Sequence, residues 1–193
     1  MIRYTLWGIA GLLLGLIIHL TLILGLPKLQ PNAVWTYVSQ LGEPGEVVTL
    51  DRIEAGEENK LHLDPEMAYA ICRFDLARGP GVLSGPLPDD FWSLGVFDLD
   101  GVAVYSTTNR SGIGKSLELG VFNSAQTRLL AEQQIALQEG LLIIESPKNQ
   151  IFVVVRLSPP HPAMWDRYSN MLEQLRCGHL DQEEITSGIL VQD

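Results

Sequence analysis

An uninterrupted apolar run near the start of the chain constrains its folding more than any other feature. The run from Tyr4 to Leu26 reads YTLWGIAGLLLGLIIHLTLILGL and contains no charged residue. A helix needs about 20 apolar residues to cross the hydrocarbon core of a bilayer, so the run predicts a transmembrane helix. We expect residues 1–30 to form a cytoplasmic tip and an anchor, and residues 31–193 to form a separate domain.

The flanks of the run favour an uncleaved anchor over a signal peptide. A signal peptide has a shorter apolar region followed by small residues at the cleavage site, whereas here the sequence continues as Pro27-Lys28-Leu29-Gln30. Arg3 and the amino terminus slightly outweigh Lys28, which favours a cytoplasmic N-terminus. The prediction is a single-pass inner-membrane protein with a periplasmic C-terminal domain.

Small residues form a stripe along the predicted membrane helix. Gly11 and Gly15 are four residues apart, and Gly8 and His19 extend the same helix face. Small residues allow two membrane helices to approach closely, and an intramembrane imidazole is expected to face protein rather than lipid. The stripe is compatible with pairing, either as a homodimer or with another membrane protein, and equally with a solitary anchor.

The charge of the chain excludes one class of partner. All 23 acidic residues follow Gly42, and the formal net charge is -10. Nucleic acids and anionic lipid surfaces are bound by clustered Lys and Arg, so we predict no nucleic-acid partner. The roughly 160 residues after the anchor match the usual size of one compact domain.

Strand patterns predominate in the exported part. Residues Met67 to Leu76 alternate between apolar and polar side chains, which predicts a strand with one buried face. FWSLGVFDL and VAVYSTT flank Asp100-Gly101, a pair that favours a tight hairpin turn. This turn would place Val96 opposite Tyr105 and Trp92 opposite Asn109.

The remaining segments complete an α+β domain in which helices pack on an antiparallel, strand-rich sheet. LLIIES and NQIFVVVRL are expected to be paired strands around Pro147-Lys148. The further predictions are a helix from an Asn32 cap to Gly42, a short edge strand in VVTL, helices over Ser124–Leu137 and Trp165–Leu175, and a frayed acidic tail over 182–193.

The stretch NRSGIGKS, residues 109–116, ends like a phosphate-binding loop. The motif requires a glycine five positions before Gly114, where this chain has Asn109. The motif should also join a buried parallel strand to a helix, whereas this stretch follows a hairpin and runs into LELGVF. An exported domain also lies in a compartment that contains little nucleotide. We therefore predict that this stretch is a Gly-Ser loop that binds no nucleotide.

Other catalytic and metal-binding patterns are absent from the sequence. His62, His161 and His179 do not share a helix or strand face, DLDG lacks the repeated ligands of a calcium loop, and no G-x-S-x-G elbow occurs. We therefore predict no metal and no cofactor. Arg156 ends an apolar strand, where its guanidinium requires a carboxylate, so a structural ion pair is favoured over a ligand-binding role.

The two cysteines, Cys72 and Cys177, both lie in the exported domain. The bacterial periplasm keeps such thiols oxidised. Cys72 belongs to the core face of its strand, and Cys177 follows a helix that packs on the same core, which favours one disulfide over two buried free thiols.

Three segments in order resemble a known family: DPEMAYAICRFDL, GVLSGPLPDDFWSLGVFDLDGVAVYSTTNR and ESPKNQIFVVVRL. Over about residues 60–160 the chain resembles the domain of unknown function 1254 family, and especially its short members with one N-terminal membrane helix. The resemblance implies an envelope protein of Gram-negative bacteria with no assigned reaction. The positions that match the family's motifs, and are therefore candidate ligand-binding residues, are Asp64, Tyr69, Trp92, Asn109 and Arg156.

Two functional hypotheses follow from these features. The first is a membrane-anchored periplasmic module that binds a ligand or a partner without catalysis. The second is an envelope enzyme, such as a hydrolase, with a site assembled from residues that include Asp64, Tyr69 and Arg156. A deep pocket with a perturbed carboxylate or histidine would favour the enzyme.

Overall fold

A computed structural model describes residues 2–29, 33–54, 56–111, 114–133 and 141–180. The chain divides into two compact units, residues 1–33 and 34–193. The first unit contains α1 (Ile2–Leu29). Within it, Ile2–Leu26 has a mean hydropathy of 2.5 and is long and apolar enough to cross a membrane.

Strands outnumber helices in the second unit, which is an α+β domain as expected. Short 3-10 turns occur at Asn109–Ser111 and Pro162–Met164. The remaining elements in chain order are α2 (Ala33–Leu41), β1 (Val47–Thr49), β2 (Ala68–Asp75), β3 (Gly81–Pro86), β4 (Trp92–Asp98), β5 (Ala103–Thr108), β6 (Ser116–Asn123), α3 (Ser124–Gln133), β7 (Leu142–Ser146), β8 (Gln150–Leu157), α4 (Trp165–Leu172) and β9 (Arg176–His179). The predicted Asn32 cap and the tail over 182–193 lie outside the described residues.

The strands form two sheets, whereas the sequence predicted one. The five-stranded sheet has the order β1-β2-β8-β4-β5, and the four-stranded sheet has the order β7-β6-β3-β9. VVTL supplies the edge strand β1, as predicted. The strand β8 is central in its sheet, and its two apolar faces pack into two different clusters.

The hairpin between β4 and β5 keeps the predicted register in its central part. Val96 lies opposite Tyr105, and the pairing ends at Ser93 opposite Thr108. The prediction that Trp92 faces Asn109 was wrong, because the chain leaves the sheet at Asn109 and enters a 3-10 turn.

The turn itself also differs from the predicted two-residue turn. The Gly101 N–H donates to the Asp98 carbonyl, and the Asp98 N–H donates to the Val102 carbonyl. Gly101 has a φ of 77°, and Asp100 is not in the positive-φ region. The connection is therefore a three-residue loop whose last residue needs the left-handed conformation that glycine adopts without strain.

The predicted pairing of LLIIES with NQIFVVVRL was wrong. Both segments are strands, but β7 pairs in parallel with β6, and β8 pairs antiparallel with β2 and β4. Ser146, Pro147, Lys148 and Asn149 therefore carry the chain from one sheet to the other. The parallel pair is possible because α3 lies in the connection between β6 and β7, the type of crossover that parallel strands require.

Local hydrogen bonds explain why α3 begins where the sequence predicted. The Asn123 side chain accepts from the N–H groups of Ala125 and Gln126, at 3.1 and 2.9 Å. The Gln126 side chain in turn accepts from the Asn123 N–H at 2.8 Å. This reciprocal arrangement is a capping box. The predicted end of the helix at Leu137 lies outside the described residues.

One main core lies between the two sheets and α4. It contains the inward side chains of β2, β4 and β8, those of β3 and β6, and Tyr168 and Leu172 from α4. Cys72 on β2 and Cys177 on β9 are joined by a disulfide with a Cα–Cα distance of 6.4 Å. The strands β3, β6 and β9 were not predicted from the sequence, and of these β3 and β9 are short and rich in Gly or polar residues.

Candidate functional site

The candidate site lies on the face of the five-stranded sheet that points away from the main core. Tyr69 on β2 is directly opposite Arg156 on β8, and Arg156 is directly opposite Ser93 on β4. Residues directly opposite each other point to the same face of a sheet. These three residues therefore form a polar row across one end of the outer face. The next pair inward, Ile71 and Val154, is apolar.

A cleft of about 570 Å³ opens on this outer face. Its floor comes from β2, β4 and β8, one wall from α2, and the other wall from the loop that precedes β2. The apolar lining consists of Val34, Val38, Leu61, Leu63, Met67, Ile71, Phe97, Phe152 and Val154, and the polar lining includes His62, Asp64, Tyr69 and Arg156.

The helix α2 forms its wall of the cleft through ordinary hydrophobic packing. Val38 is 1% exposed and packs with Ile71 and Phe152 in a second, smaller core cluster. The predicted helix before Gly42 is confirmed. Because this cluster covers part of the outer face, β2 is buried on both faces rather than on the one face predicted.

The opposite wall is held in place by Asn59. Its side-chain amide donates to the Leu63 carbonyl at 2.7 Å, and its side-chain oxygen accepts from the Leu63 N–H at 2.8 Å. The Asn59 carbonyl also accepts from the N–H of His62, whose φ is 51°. These bonds fix a compact loop.

Tyr69 presents a hydroxyl at the polar end of the cleft. The hydroxyl oxygen accepts from the Asp64 N–H at 2.9 Å. Burial raises the pKa of Tyr69, while the bond from Asp64 and the Arg156 guanidinium act in the opposite direction. The phenol is therefore protonated at neutral pH, and its O–H is a hydrogen-bond donor.

Arg156 is half-buried beside Tyr69. Within the described ranges, no carboxylate lies within 4.0 Å of its guanidinium, and the ion pairs there involve Lys60, Lys115 and Lys148. The favoured prediction of a structural ion pair for Arg156 was therefore wrong. The outward position of the side chain explains the difference, because the cleft leaves the guanidinium partly accessible to water.

The five candidate residues do not form one site. Asp64, Tyr69 and Arg156 line the cleft together. Trp92 is 2% exposed and belongs to the main core on the opposite face of the sheet. Asn109 is exposed in the 3-10 turn after β5 and does not line the cleft.

The segment that resembles a phosphate-binding loop has an ordinary structural role. Lys115 pairs with Asp89 at 2.8 Å, and both side chains are mostly exposed. Ser116 begins the strand β6 rather than a helix, so the helix N-terminus that holds phosphates in such loops does not follow it.

Sequence reasoning missed the apolar part of the site. A helix was predicted over α2, but the surface on which it packs was not predicted. The usable signal was the sequence of β8, IFVVV, whose outward residues Phe152 and Val154 are as apolar as its inward ones. An apolar outer face implies that something else covers the sheet.

The second unit is thus a two-sheet α+β domain with a largely apolar cleft on its outer face. The sequence matches the family described as protein of unknown function DUF1254 over residues 45–179. The chain belongs to this family, as the motif resemblance predicted. No curated protein is significantly similar to the chain.

Solved structures that resemble the chain include the following two. The VPA0106 protein from Vibrio parahaemolyticus aligns with a TM-score of 0.51 and 14% identity, covering 63% of this chain and 29% of its own. An uncharacterized protein from Burkholderia cenocepacia aligns with a TM-score of 0.42 and 11% identity, covering 84% of this chain and 46% of its own. The first likeness concerns the fold alone, and the aligned part of this chain spans less than a third of the Vibrio protein.

Proposed function

We propose that the protein is a membrane-anchored module of the cell envelope whose periplasmic unit binds a small molecule in the cleft. The observation that carries the proposal is the cleft itself, which combines an apolar floor with a few polar groups at one end. Small-molecule sites are typically concave, largely preformed and about 300–1,000 Å³ in volume. The cleft meets the criteria of concave shape and volume.

The proposal places α1 in the inner membrane with its N-terminus in the cytoplasm. Support comes from the length and hydropathy of Ile2–Leu26 and from the slight excess of positive charge before the helix. The family resemblance to envelope proteins is consistent with this placement. Pairing of α1 through Gly8, Gly11, Gly15 and His19, with a second copy or another membrane protein, is part of the same proposal.

Binding is favoured over hydrolysis by the composition of the cleft. Among the described residues that line it, His62 and Asp64 could act as acid or base, but no serine, threonine or cysteine is present as a nucleophile. The polar groups that converge most closely, Tyr69 and Arg156, are hydrogen-bond donors. Donors of this kind can hold the polar group of a ligand by hydrogen bonds.

Native mass spectrometry of the full chain in lipid nanodiscs would test the binding role. We expect the wild type to carry a small molecule from the cell. The substitution Val154→Trp places a large side chain on the floor of the cleft and should abolish this adduct. Leu129→Trp, on the exposed side of α3, is the matched control and should retain it.

A wild type without any adduct would contradict the binding role. An adduct that persists in Val154→Trp would also contradict it, because the ligand would then lie elsewhere.

A further inference from the structure

The chemistry at the two ends of the cleft indicates which class of molecule would bind, on the assumption that the proposed binding function is correct. The apolar side chains extend along β8 from Val154 to Phe152, away from Arg156. Strand residues rise by about 3.3 Å each, so the floor from Arg156 to Phe152 is roughly 13 Å long. The apolar floor therefore extends along β8 from the guanidinium toward Phe152, which is 3% exposed and packs against Val38 of α2.

The polar end offers donors and one positive charge. Tyr69 and Arg156 are directly opposite on neighbouring strands, where side chains start about 5 Å apart and point the same way. The Tyr69 oxygen already accepts from the Asp64 N–H, so its own O–H remains to be donated. A guanidinium beside a hydroxyl donor matches the two oxygens of a carboxylate.

The lack of a carboxylate partner for Arg156 among the described residues leaves its guanidinium available to an anionic ligand. The chain has 23 acidic and 13 basic residues, yet none of the described carboxylates pairs with this guanidinium. Asp64 also lines the cleft, but it is exposed, and its Oδ1 accepts from the Glu66 N–H at 2.9 Å. Repulsion of an anion by more distant surface carboxylates is screened beyond about 8–10 Å in physiological salt.

We propose that the cleft binds an amphipathic carboxylate, with the apolar chain along β8 and the carboxylate held by the Arg156 guanidinium and the Tyr69 hydroxyl. The carboxylate of such a ligand would pair with the Arg156 guanidinium, and its apolar chain would pack on the floor of the cleft. An uncharged molecule of the same shape would fill the floor but would leave the guanidinium without an anion.

The test compares decanoate with decanol, which share an alkyl chain and differ in charge. Saturable binding is measured by equilibrium dialysis against the full chain in zwitterionic nanodiscs, with empty nanodiscs subtracted. We expect the wild type to bind decanoate roughly tenfold or more tightly than decanol, the difference typical of a hydrogen-bonded charge pair. Added salt should weaken the binding of decanoate but not that of decanol.

Substitutions then identify the residues that bind the carboxylate. Arg156→Gln should weaken decanoate binding by roughly tenfold or more and leave decanol binding unchanged. Tyr69→Phe should have a smaller effect in the same direction. Arg128→Gln, on the exposed surface of α3, is the matched control and should bind like the wild type.

The possible failures are distinguishable. Equal binding of decanoate and decanol to the wild type would overturn the carboxylate inference but would leave the cleft as a binding site. Preference for decanoate that survives Arg156→Gln would also overturn it. Absence of saturable binding of either molecule would overturn the inference, while the cell-derived adduct tests the binding function separately. The comparison of the two probes on the wild type needs no variant, so it remains decisive if Arg156→Gln fails to fold.

Discussion

Asp98 and Lys148 form an ion pair, with Lys148 Nζ 3.2 Å from Asp98 Oδ2, that connects the β4–β5 turn to the segment between β7 and β8. The Asp98 side chain is 6% exposed, and its Oδ1 accepts from the N–H groups of Asp100 and Val102, both at 2.9 Å. One carboxylate therefore shapes the turn and joins it to a segment distant in sequence.

Replacement of Asp98 by Ala should destabilise the second unit by about 2–3 kcal/mol, because it removes several hydrogen bonds to a charged group. Urea unfolding of the full chain in nanodiscs, followed by tryptophan fluorescence, measures the change. Asp100→Ala is the matched control, since that carboxylate is 56% exposed and should contribute less than about 1 kcal/mol. Equal effects of the two substitutions would contradict this role of Asp98.

The disulfide between Cys72 and Cys177 links β2 of one sheet to β9 of the other. We expect neither thiol to react with iodoacetamide after denaturation unless a reductant is added. The cysteines are 105 residues apart, and closure of a loop of this size is worth up to about 4.7 kcal/mol in the chain-entropy model. Cys72→Ala with Cys177→Ala should lower the free energy of unfolding accordingly. Two reactive thiols in the unreduced protein would refute the bond.

His179 should make stability depend on pH. Its pKa is lowered by burial and by the charge of Arg78, and its Nε2 accepts from the Asp75 N–H at 3.2 Å. The unfolded chain, with a histidine pKa of about 6.5, therefore binds the proton more readily than the folded chain. The contribution of this residue to stability is complete above about pH 6.5 and decreases as the pH falls below that value.

Comparison of the wild type with His179→Gln isolates this effect, since an amide oxygen can still accept from Asp75. We expect the difference in free energy of unfolding between the two proteins to be constant above about pH 7 and to shift against the wild type below about pH 6.5. A difference that does not change with pH would contradict the assignment.

The proposed topology predicts the behaviour of reporter fusions. Alkaline phosphatase fused after Asp193 should be active, because the enzyme requires an exported, oxidising compartment. A fluorescent reporter that folds only in the cytoplasm should be dark at the same position. The reverse pattern would mean that the second unit is cytoplasmic.

The glycine stripe on α1 predicts pairing of the membrane helix. Gly11→Leu with Gly15→Leu should abolish crosslinked dimers in intact membranes, because close helix approach requires small residues. Leu13→Phe with Ile17→Phe changes the opposite helix face and serves as the control. Crosslinking that is unchanged by the glycine substitutions would leave α1 as a solitary anchor.

The sequence alone determined the features that depend on neighbouring residues. The apolar run of α1, the alternation in β2, the capped start of α3 and the central register of the β4–β5 hairpin are all encoded within short windows. Family membership was also recognisable, because the order of the motifs is a property of the sequence itself. The Asp-Gly pair located the turn but not its type, since the conformation of Asp100 depends on the hydrogen bonds that Asp98 accepts.

The tertiary structure alone decided how the strands are shared between two sheets and where the site lies. The short connection of β7 to β8 suggested a hairpin, but β7 joins the four-stranded sheet and β8 the five-stranded sheet. Trp92 and Arg156 both matched family motifs, yet the alternation of side chains places them on opposite faces of one sheet. Only long-range packing, here of α2 and the Asn59 loop on the outer face, determines which face carries a cleft.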